Sequence, residues 1–362
     1  MIRSVLIVSG GAMGSLFSGF LSAASRKSAT RLDIILRANW KDHRNNIQKE
    51  GLHIHPRSEE TKNLWMNIEK SCNIPGDWSE ATVRVNAVDD SIFDKHSPNY
   101  QMVDSVLLLD KSCFTEQCAQ LIQNVLSENG MCLTLQNGMG NVSILQRVLG
   151  KDRVLQGSTS QAAMIDKAGT VEHTGIGYIK ISAPTESGKA VADWWVQTLS
   201  SVGLEATLAG NDFQRVLWEK LIINSAINPL TSLYGVKNGE LRSSQELTSL
   251  MQDIVSEGVG IAKASGIQLA EAEMYEKTLL VCKQTAGNIS SMYSDIRKGQ
   301  KTEIDFINGY IASVADQLRI DAPVNRFITR LIKAKEELVI DPPDSCTLGS
   351  KNCKHLVVFS NT

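Results

Sequence analysis

The sequence predicts an α/β N-terminal domain followed by an all-α C-terminal domain, and three observations predict it. The chain opens with a continuous apolar run, a glycine-rich turn and a helical pattern, SVLIVSGGAMGSLFSGFLSAA. Two later runs, SVLLLDKS and MCLTLQNGMGN, read as buried parallel strands that end in polar turns. Beyond Gly210-Asn211-Asp212 the apolar spacing is helical to about Val339.

The opening turn is the most informative of these elements. Aligned on G-x-G-x-x-G, it places Ser9, Gly11 and Gly14 at the glycine positions, with Gly10, Ala12 and Met13 between them. A strand, a tight turn and a new helix in this order present free N–H groups to a pyrophosphate, the arrangement of a Rossmann-type dinucleotide site. Ser9 replaces the first glycine, and Gly10 is expected to take up the awkward torsion. Because such a turn also serves purely structural roles, the next strand matters. RLDIILR ends at Arg37, where an NAD site carries an acid. Arginine suits a ribose 2′-phosphate, so the expected cofactor is NADPH/NADP; an ordinary surface arginine is the structural alternative. Lys41, His43 and Arg44 are expected to add positive potential at the same rim.

Residues 51–102 are polar and irregular, and read as a strand pair with a decorated loop. Lys111 follows one apolar strand and Asn137 another, at the carboxyl ends where doubly wound sheets bind ligands. Asn-Gly is also an ordinary turn dipeptide. Short strands over 154–182 are expected to form the antiparallel edge of this domain, which a helix over 190–202 and a strand over 204–209 complete. These readings assign 1–210 to the dinucleotide-binding domain, 211–340 to a helical substrate domain and 341–362 to a C-terminal extension.

The helical domain opens with WEKLIINSAINPLTSL, in which Lys220, Asn224 and Asn228 stand four residues apart among apolar neighbours. Each step of four advances about 40° around a helix, so the three form a narrow polar stripe. Burying a lysine and two carboxamides without partners is costly, which makes the stripe the lining of a ligand cleft. The alternative is a wet face on which Asn228 ends the helix before Pro229. Farther on, Asn288, Ser290 and Ser291 stand at a helix start as caps would, and Glu303 and Asp305 sit where carboxylates suit the helix dipole.

Composition narrows the function classes. A chain of 362 residues with 42% hydrophobic and 21% charged residues has the makeup of a soluble protein with two cores. A net charge of -2 gives no electrostatic reason to expect nucleic acid or an anionic membrane. No apolar run of about 18 residues occurs, so no membrane span is expected. The first strand is entered by Val5, leaving no room for a presequence of the usual length, and a cytoplasmic address is expected. The seven cysteines form no CxxC pair and no metal spacing with histidine, so reduced thiols and no metal are expected.

The segments VSGGAMGSLF, LRANWKDHRNNIQKEGL, LQNGMGN, HTGIGYIKI, WEKLIINSAINPLTSL, NGEL, NISSMYSDIRKGQKTEIDFINGY and APVN carry a family resemblance. Over approximately residues 3–338 the chain resembles the ketopantoate reductases, or 2-dehydropantoate 2-reductases. The resemblance implies a Rossmann-type domain, an all-helical domain and an active site in the cleft between them. It also implies NADPH-dependent reduction of 2-dehydropantoate to pantoate, a step toward pantothenate and coenzyme A. Lys220 matches the lysine at the reacting carbonyl and Glu303 the acidic residue of the substrate site. Asn224, Asn228, Asn238, Asn288 and Ser291 match substrate-site or supporting positions, while Lys111 and Asn137 match residues near the nicotinamide. Two other readings stand beside this one: a reductase of another branched or aromatic 2-keto acid, and an NADP-binding sensor or scaffold without turnover. Retention of Lys220, Asn224 and Glu303 together weighs against the scaffold. A second copy of the chain, as a homodimer, stays open as a partner.

Overall fold

A parallel strand buried on both faces needs apolar side chains pointing both ways. The first strand, β1 (Ile2–Val8), has them. Val5 and Ile7 enter one core cluster, Leu6 and Val8 the other, and all four are fully buried. The computed structural model describes residues 2–28, 31–72 and 81–340. The chain divides into two compact units, one reaching Leu221 and the other running from Ile222 onward.

In the first unit, α1 (Ala12–Lys27) leads to β2 (Arg31–Arg37) and α2 (Lys41–Glu50). Then come β3 (Leu52–Pro56), α3 (Glu59–Cys72), β4 (Ala81–Val83), β5 (Asn86–Val88) and β6 (Val103–Leu108). The chain continues through α4 (Thr115–Val125), β7 (Leu126–Thr134), α5 (Asn141–Leu149) and β8 (Val154–Thr159). It closes with β9 (Ala162–Lys167), β10 (Thr170–Gly175), β11 (Ile179–Ser182), α6 (Glu186–Ser200) and β12 (Ala206–Leu208). Eight of these strands form one sheet in the order β12-β11-β8-β7-β6-β1-β2-β5. From β8 to β5 every pair is parallel, so the carboxyl ends of β1, β2, β5, β6, β7 and β8 share one edge.

Two readings of this half change. Residues 51–102 hold a helix as well as strands: Thr61, Trp65, Ile68 and Cys72 are the buried stripe of α3, and Trp65 stacks on Phe20 with ring centroids 5.0 Å apart. The expected antiparallel edge is also divided. Only β11 pairs antiparallel with β8 in the main sheet, while β9 and β10 join β3 and β4 in a separate four-stranded sheet. The segment TVRVNAV feeds both sheets, β4 pairing with β3 and β5 with β2.

Two histidines lock this unit in their neutral form. His173 accepts a bond from Trp65 Nε1 at 3.1 Å on Nδ1, and its Nε2 faces Gln161 Oε1 at 3.0 Å. His43 accepts from the Gly169 N–H on Nδ1 at 2.9 Å, with Nε2 3.0 Å from Ser15 Oγ. A second ring proton would meet an N–H donor in each case. Burial lowers both pKa values to about 4. His43 is therefore a buried neutral group and adds no positive potential to the cofactor rim. The unfolded chain binds these protons below its ordinary histidine pKa and the folded chain does not, so stability is full at neutral pH and falls with pH between about 6.5 and 4. Urea unfolding across that window is expected to show a loss of up to about 1.4 kcal/mol per pH unit for each ring. Titration of either imidazole near pH 6.5 by NMR would contradict this.

The described residues of the second unit form helices and turns and no strand. The helix α7 (Phe213–Tyr234) runs into it and is followed by α8 (Gln245–Ala264), α9 (Glu271–Gln284), α10 (Ser291–Arg297), α11 (Asn308–Leu318) and α12 (Pro323–Ile340). Pro229 does not end α7, against the alternative that Asn228 breaks it. A proline inside a helix strips the carbonyl four residues earlier of its N–H partner. Here that carbonyl belongs to Ser225, and Asn308 Nδ2 donates to it at 3.0 Å. Asn308 Nδ2 also donates to Asn325 Oδ1, and Asn325 Nδ2 to Glu257 Oε1; that carboxylate accepts the Val324 and Asn325 N–H groups at the start of α12 as well. Asn308→Leu is expected to lower unfolding free energy by about 1–3 kcal/mol, because it leaves a buried carbonyl unsatisfied. An unchanged urea midpoint and slope would contradict the role assigned to Asn308. Among the described residues no helix is long and apolar enough to cross a membrane.

Candidate active site

The glycine turn joins β1 to α1. Gly14 sits against β1 so closely that a Cβ there would lie 1.8 Å from the Ser9 carbonyl oxygen, and one on Gly10 would lie 2.6 Å from Ala38 Cα. Both glycines are required by close packing of backbone on backbone. Ser9 needs no special torsion: its φ is not positive, it is buried, and its Oγ accepts the Gly11 N–H at 3.2 Å. Gly11 is exposed at the N-cap with no side-chain cap, and the first turn, which includes Ala12 and Met13, has no acidic residue. The positive end of α1 is thus left for an anion.

Arg37 ends β2 beside this turn, as expected, but its guanidinium is engaged. Nε donates to Asp90 Oδ1 at 2.6 Å and Nη1 to Asp110 Oδ2 at 2.8 Å. Burial alone lowers the Arg37 pKa; the hydrogen bond and charge of Asp90, then the charge of Asp110, outweigh it and raise the value. Arg44 likewise pairs with Asp89 at 3.2 Å.

Past β6 and β7, two turns are tied together. Lys111 begins the turn after β6, and Ser112 Oγ donates to the Asn137 carbonyl at 2.6 Å. Asn141 Nδ2 donates to the same carbonyl at 3.0 Å, Thr115 Oγ1 donates to Asn141 Oδ1, and Gln136 Nε2 donates to Thr115 Oγ1. Gly138 and Gly140 take positive φ of 75° and 96°, which explains the two glycines of QNGMGN. With its backbone fixed, Asn137 presents its carboxamide to Lys220. Lys220 Nζ donates to Asn137 Oδ1 at 2.8 Å and to the Thr159 carbonyl at 2.7 Å, which places the ammonium at the carboxyl ends of β7 and β8.

In the second unit, Asn224 is half-buried and Asn228 buried on α7. Asn238 is buried, with Nδ2 donating to Thr285 Oγ1, its N–H donating to the Asn288 carbonyl, and Oδ1 without a partner among the described residues. Asn288 is exposed. Ser291 is exposed at the first position of α10, where Ser290 is the true cap, accepting the Tyr293 N–H and lying 2.7 Å from Thr231 Oγ1. Glu303 is a buried carboxylate that makes no cap bond to the turn it begins.

The sequence pattern described as "Ketopantoate reductase PanE/ApbA" matches residues 5–186, and its companion, "Ketopantoate reductase PanE/ApbA C terminal", matches residues 212–336. The chain belongs to the ketopantoate reductase family. It is therefore an oxidoreductase. A 2-dehydropantoate 2-reductase of Pyrococcus horikoshii is 30% identical over 334 residues, covering 92% of this chain and 98% of the relative. One of Streptococcus pyogenes is 28% identical over 336 residues, covering 92% and 98%. Among solved structures, a PanE/ApbA family ketopantoate reductase from Ralstonia eutropha superposes with a TM-score of 0.75 at 26% identity, covering 92% of this chain and 99% of that one. D-mandelate dehydrogenase, determined with NADH and anilino(oxo)acetate, shares the fold with a TM-score of 0.78 at 24% identity, covering 93% and 99%.

Within the family frame, the first unit gathers Ser9 to Gly14, Arg37, Lys111, Asn137 and Lys220 at one sheet edge. Thr159, Asn141 and Asp90 were missed by sequence reasoning. The first acts through a backbone carbonyl, which has no residue signature, and the others are single polar residues, Asn141 at the start of α5 and Asp90 at the start of a short turn.

Proposed function

We propose that the chain is an NADPH-dependent reductase that converts 2-dehydropantoate to pantoate in the cytoplasm, with 1–210 binding the dinucleotide and 211–340 the keto acid. The observation that carries this is the hold on Lys220 by Asn137 Oδ1 and the Thr159 carbonyl at the sheet edge that also carries the glycine turn. The residues present suit the cofactor: the bare first turn of α1 would hold the pyrophosphate, Gly10 and Gly14 keep that turn close to β1, and Arg37, held by Asp90 and Asp110, stands at the end of β2 where the ribose 2′-phosphate would lie. Bound there, NADPH supplies the hydride that the keto carbon takes up.

Lys220 does the remaining chemistry. As the keto carbon is reduced, its oxygen gains negative charge, and an ammonium stabilises that charge and donates the proton. Asn137 and Thr159 keep the ammonium oriented at the sheet edge where the substrate oxygen is proposed to lie. Glu303 is assigned as the carboxylate that completes the substrate site. Asn224, Asn228, Asn238, Asn288 and Ser291 are neutral groups for the substrate carboxylate and hydroxyl, and the unpartnered Asn238 Oδ1 suits a hydroxyl donor.

The test is a panel of 2-keto acids with NADPH, read as kcat/KM. The highest value is expected for 2-dehydropantoate. A higher value for an aromatic or different branched acid would reassign the substrate, and dinucleotide binding without turnover of any acid would favour a sensor or scaffold.

A further inference from the structure

We propose that Asp90 sets the cofactor preference of this chain: by holding Arg37 in a two-point ion pair it competes with the ribose 2′-phosphate, so NADH is accepted beside NADPH. The inference rests on the dinucleotide site proposed above and concerns which dinucleotide that site prefers.

The geometry is that of an arginine engaged at all three of its nitrogens. Arg37 Nε and Nη2 donate to the two oxygens of Asp90 at 2.6 and 3.3 Å, and Nη1 donates to Asp110 Oδ2 at 2.8 Å. Asn39 Nδ2 donates to Asp90 Oδ2 at 2.9 Å, and Arg44 is divided between Asp89 and the Ala38 carbonyl. Two arginines against three aspartates leave this group one negative charge in excess. A phosphate dianion entering here has to take Arg37 away from a carboxylate and then remain near it. An unphosphorylated ribose has no such conflict, because its 2′-hydroxyl donates to a carboxylate, the role an acid plays in NAD sites. The cluster lies next to the glycine turn, since a Cβ on Gly10 would meet Ala38 Cα at 2.6 Å and the Arg37 carbonyl at 3.2 Å.

Of the two carboxylates on Arg37, Asp90 is the one placed to exchange. Its side chain is 50% exposed against 24% for Asp110, which also accepts the Lys111 N–H. The turn that Asp90 begins is capped by Asp89, whose Oδ1 accepts the Ser91 N–H at 3.1 Å. Asp90→Asn therefore removes the charge and leaves the cap in place.

The experiment measures Kd for NADPH and NADH, by quenching of protein fluorescence, on the full chain and on Asp90→Asn, Arg37→Ala and the double variant. The unsubstituted chain is expected to bind NADH within about tenfold of NADPH. Asp90→Asn should tighten NADPH about tenfold, the modest scale of a half-exposed charge, and shift NADH by no more than about threefold. That gain should vanish in the Arg37→Ala background. Equal effects on both cofactors, no effect, a gain that survives loss of Arg37, or binding of neither dinucleotide overturns the proposal. Selective tightening in a chain that reduces no keto acid would uphold it and contradict the proposed reaction instead.

Discussion

Lys220→Ala is expected to lower keto-acid reduction by at least about 100-fold, the loss that follows removal of a positioned acid. The effect should fall on kcat more than on KM, because the charge that Lys220 meets develops as the hydride arrives. NADPH affinity should change little, since the bonds shown for the lysine run to Asn137 and Thr159, at the carboxyl ends of β7 and β8. Two further variants separate its roles. Lys220→Arg keeps a cation but holds its proton too tightly to give it up, so it should recover little activity if proton donation matters. Asn137→Ala removes an acceptor that orients the ammonium and should act in the same direction to a smaller extent. Glu303→Gln combined with Lys220→Ala should cost less than the product of the single losses if the two act as a unit. Near-normal kcat in Lys220→Ala, with the chain folded, would leave the polar stripe as a structural feature.

Gly14→Ala is expected to weaken NADPH binding by about 30-fold or more and to lower unfolding free energy by at least about 2 kcal/mol. The added methyl would stand 1.8 Å from the Ser9 carbonyl oxygen and 2.8 Å from its carbon, so α1 has to move off β1. Backbone on both sides prevents a cheaper adjustment. Gly11→Ala is the control. Its methyl would make an ordinary contact with Ser9 Oγ at 3.4 Å, and Gly11 has a φ of -80° that alanine accepts. The fold should tolerate it, so any loss of NADPH affinity there reports the approach of the ligand to the turn. Equal stability of Gly14→Ala and the unsubstituted chain would contradict the close packing assigned to this glycine.

What was legible in the sequence is what local pattern carries. The strand, turn and helix at 5–27 were readable from an apolar run, glycines and helical spacing within one stretch. The helical second half and the polar steps of α7 were readable in the same way. Lys220 stood out because it is polar where its surroundings are apolar, whereas Asn137, in an ordinary Asn-Gly turn, was singled out by its place past a strand's carboxyl end and by the family resemblance. The buried stripe of α3 was also present as Thr61, Trp65, Ile68 and Cys72, but polar residues between them hid the period. No local pattern divides TVRVNAV between two sheets, because β3 and β2 are partners chosen by tertiary packing. His43 was misread for a related reason: residue type suggested a charge, and burial against Ser15 and Gly169 removed it. The pairing of Arg37 with Asp90 and Asp110 joins residues 53 and 73 positions apart, so no local pattern announces it. The expected extension over 341–362 lies outside the described residues, as do Cys346 and Cys353.

The most direct measurement follows one atom. The full chain is incubated with 2-dehydropantoate and NADPH carrying deuterium at the transferring position of nicotinamide C4, and the product is examined by mass spectrometry. The account predicts pantoate with one deuterium on C2, formed at a rate that Lys220→Ala lowers by at least about 100-fold. Oxidation of the cofactor without deuterated pantoate, or no pantoate from a chain that binds NADPH, would contradict it.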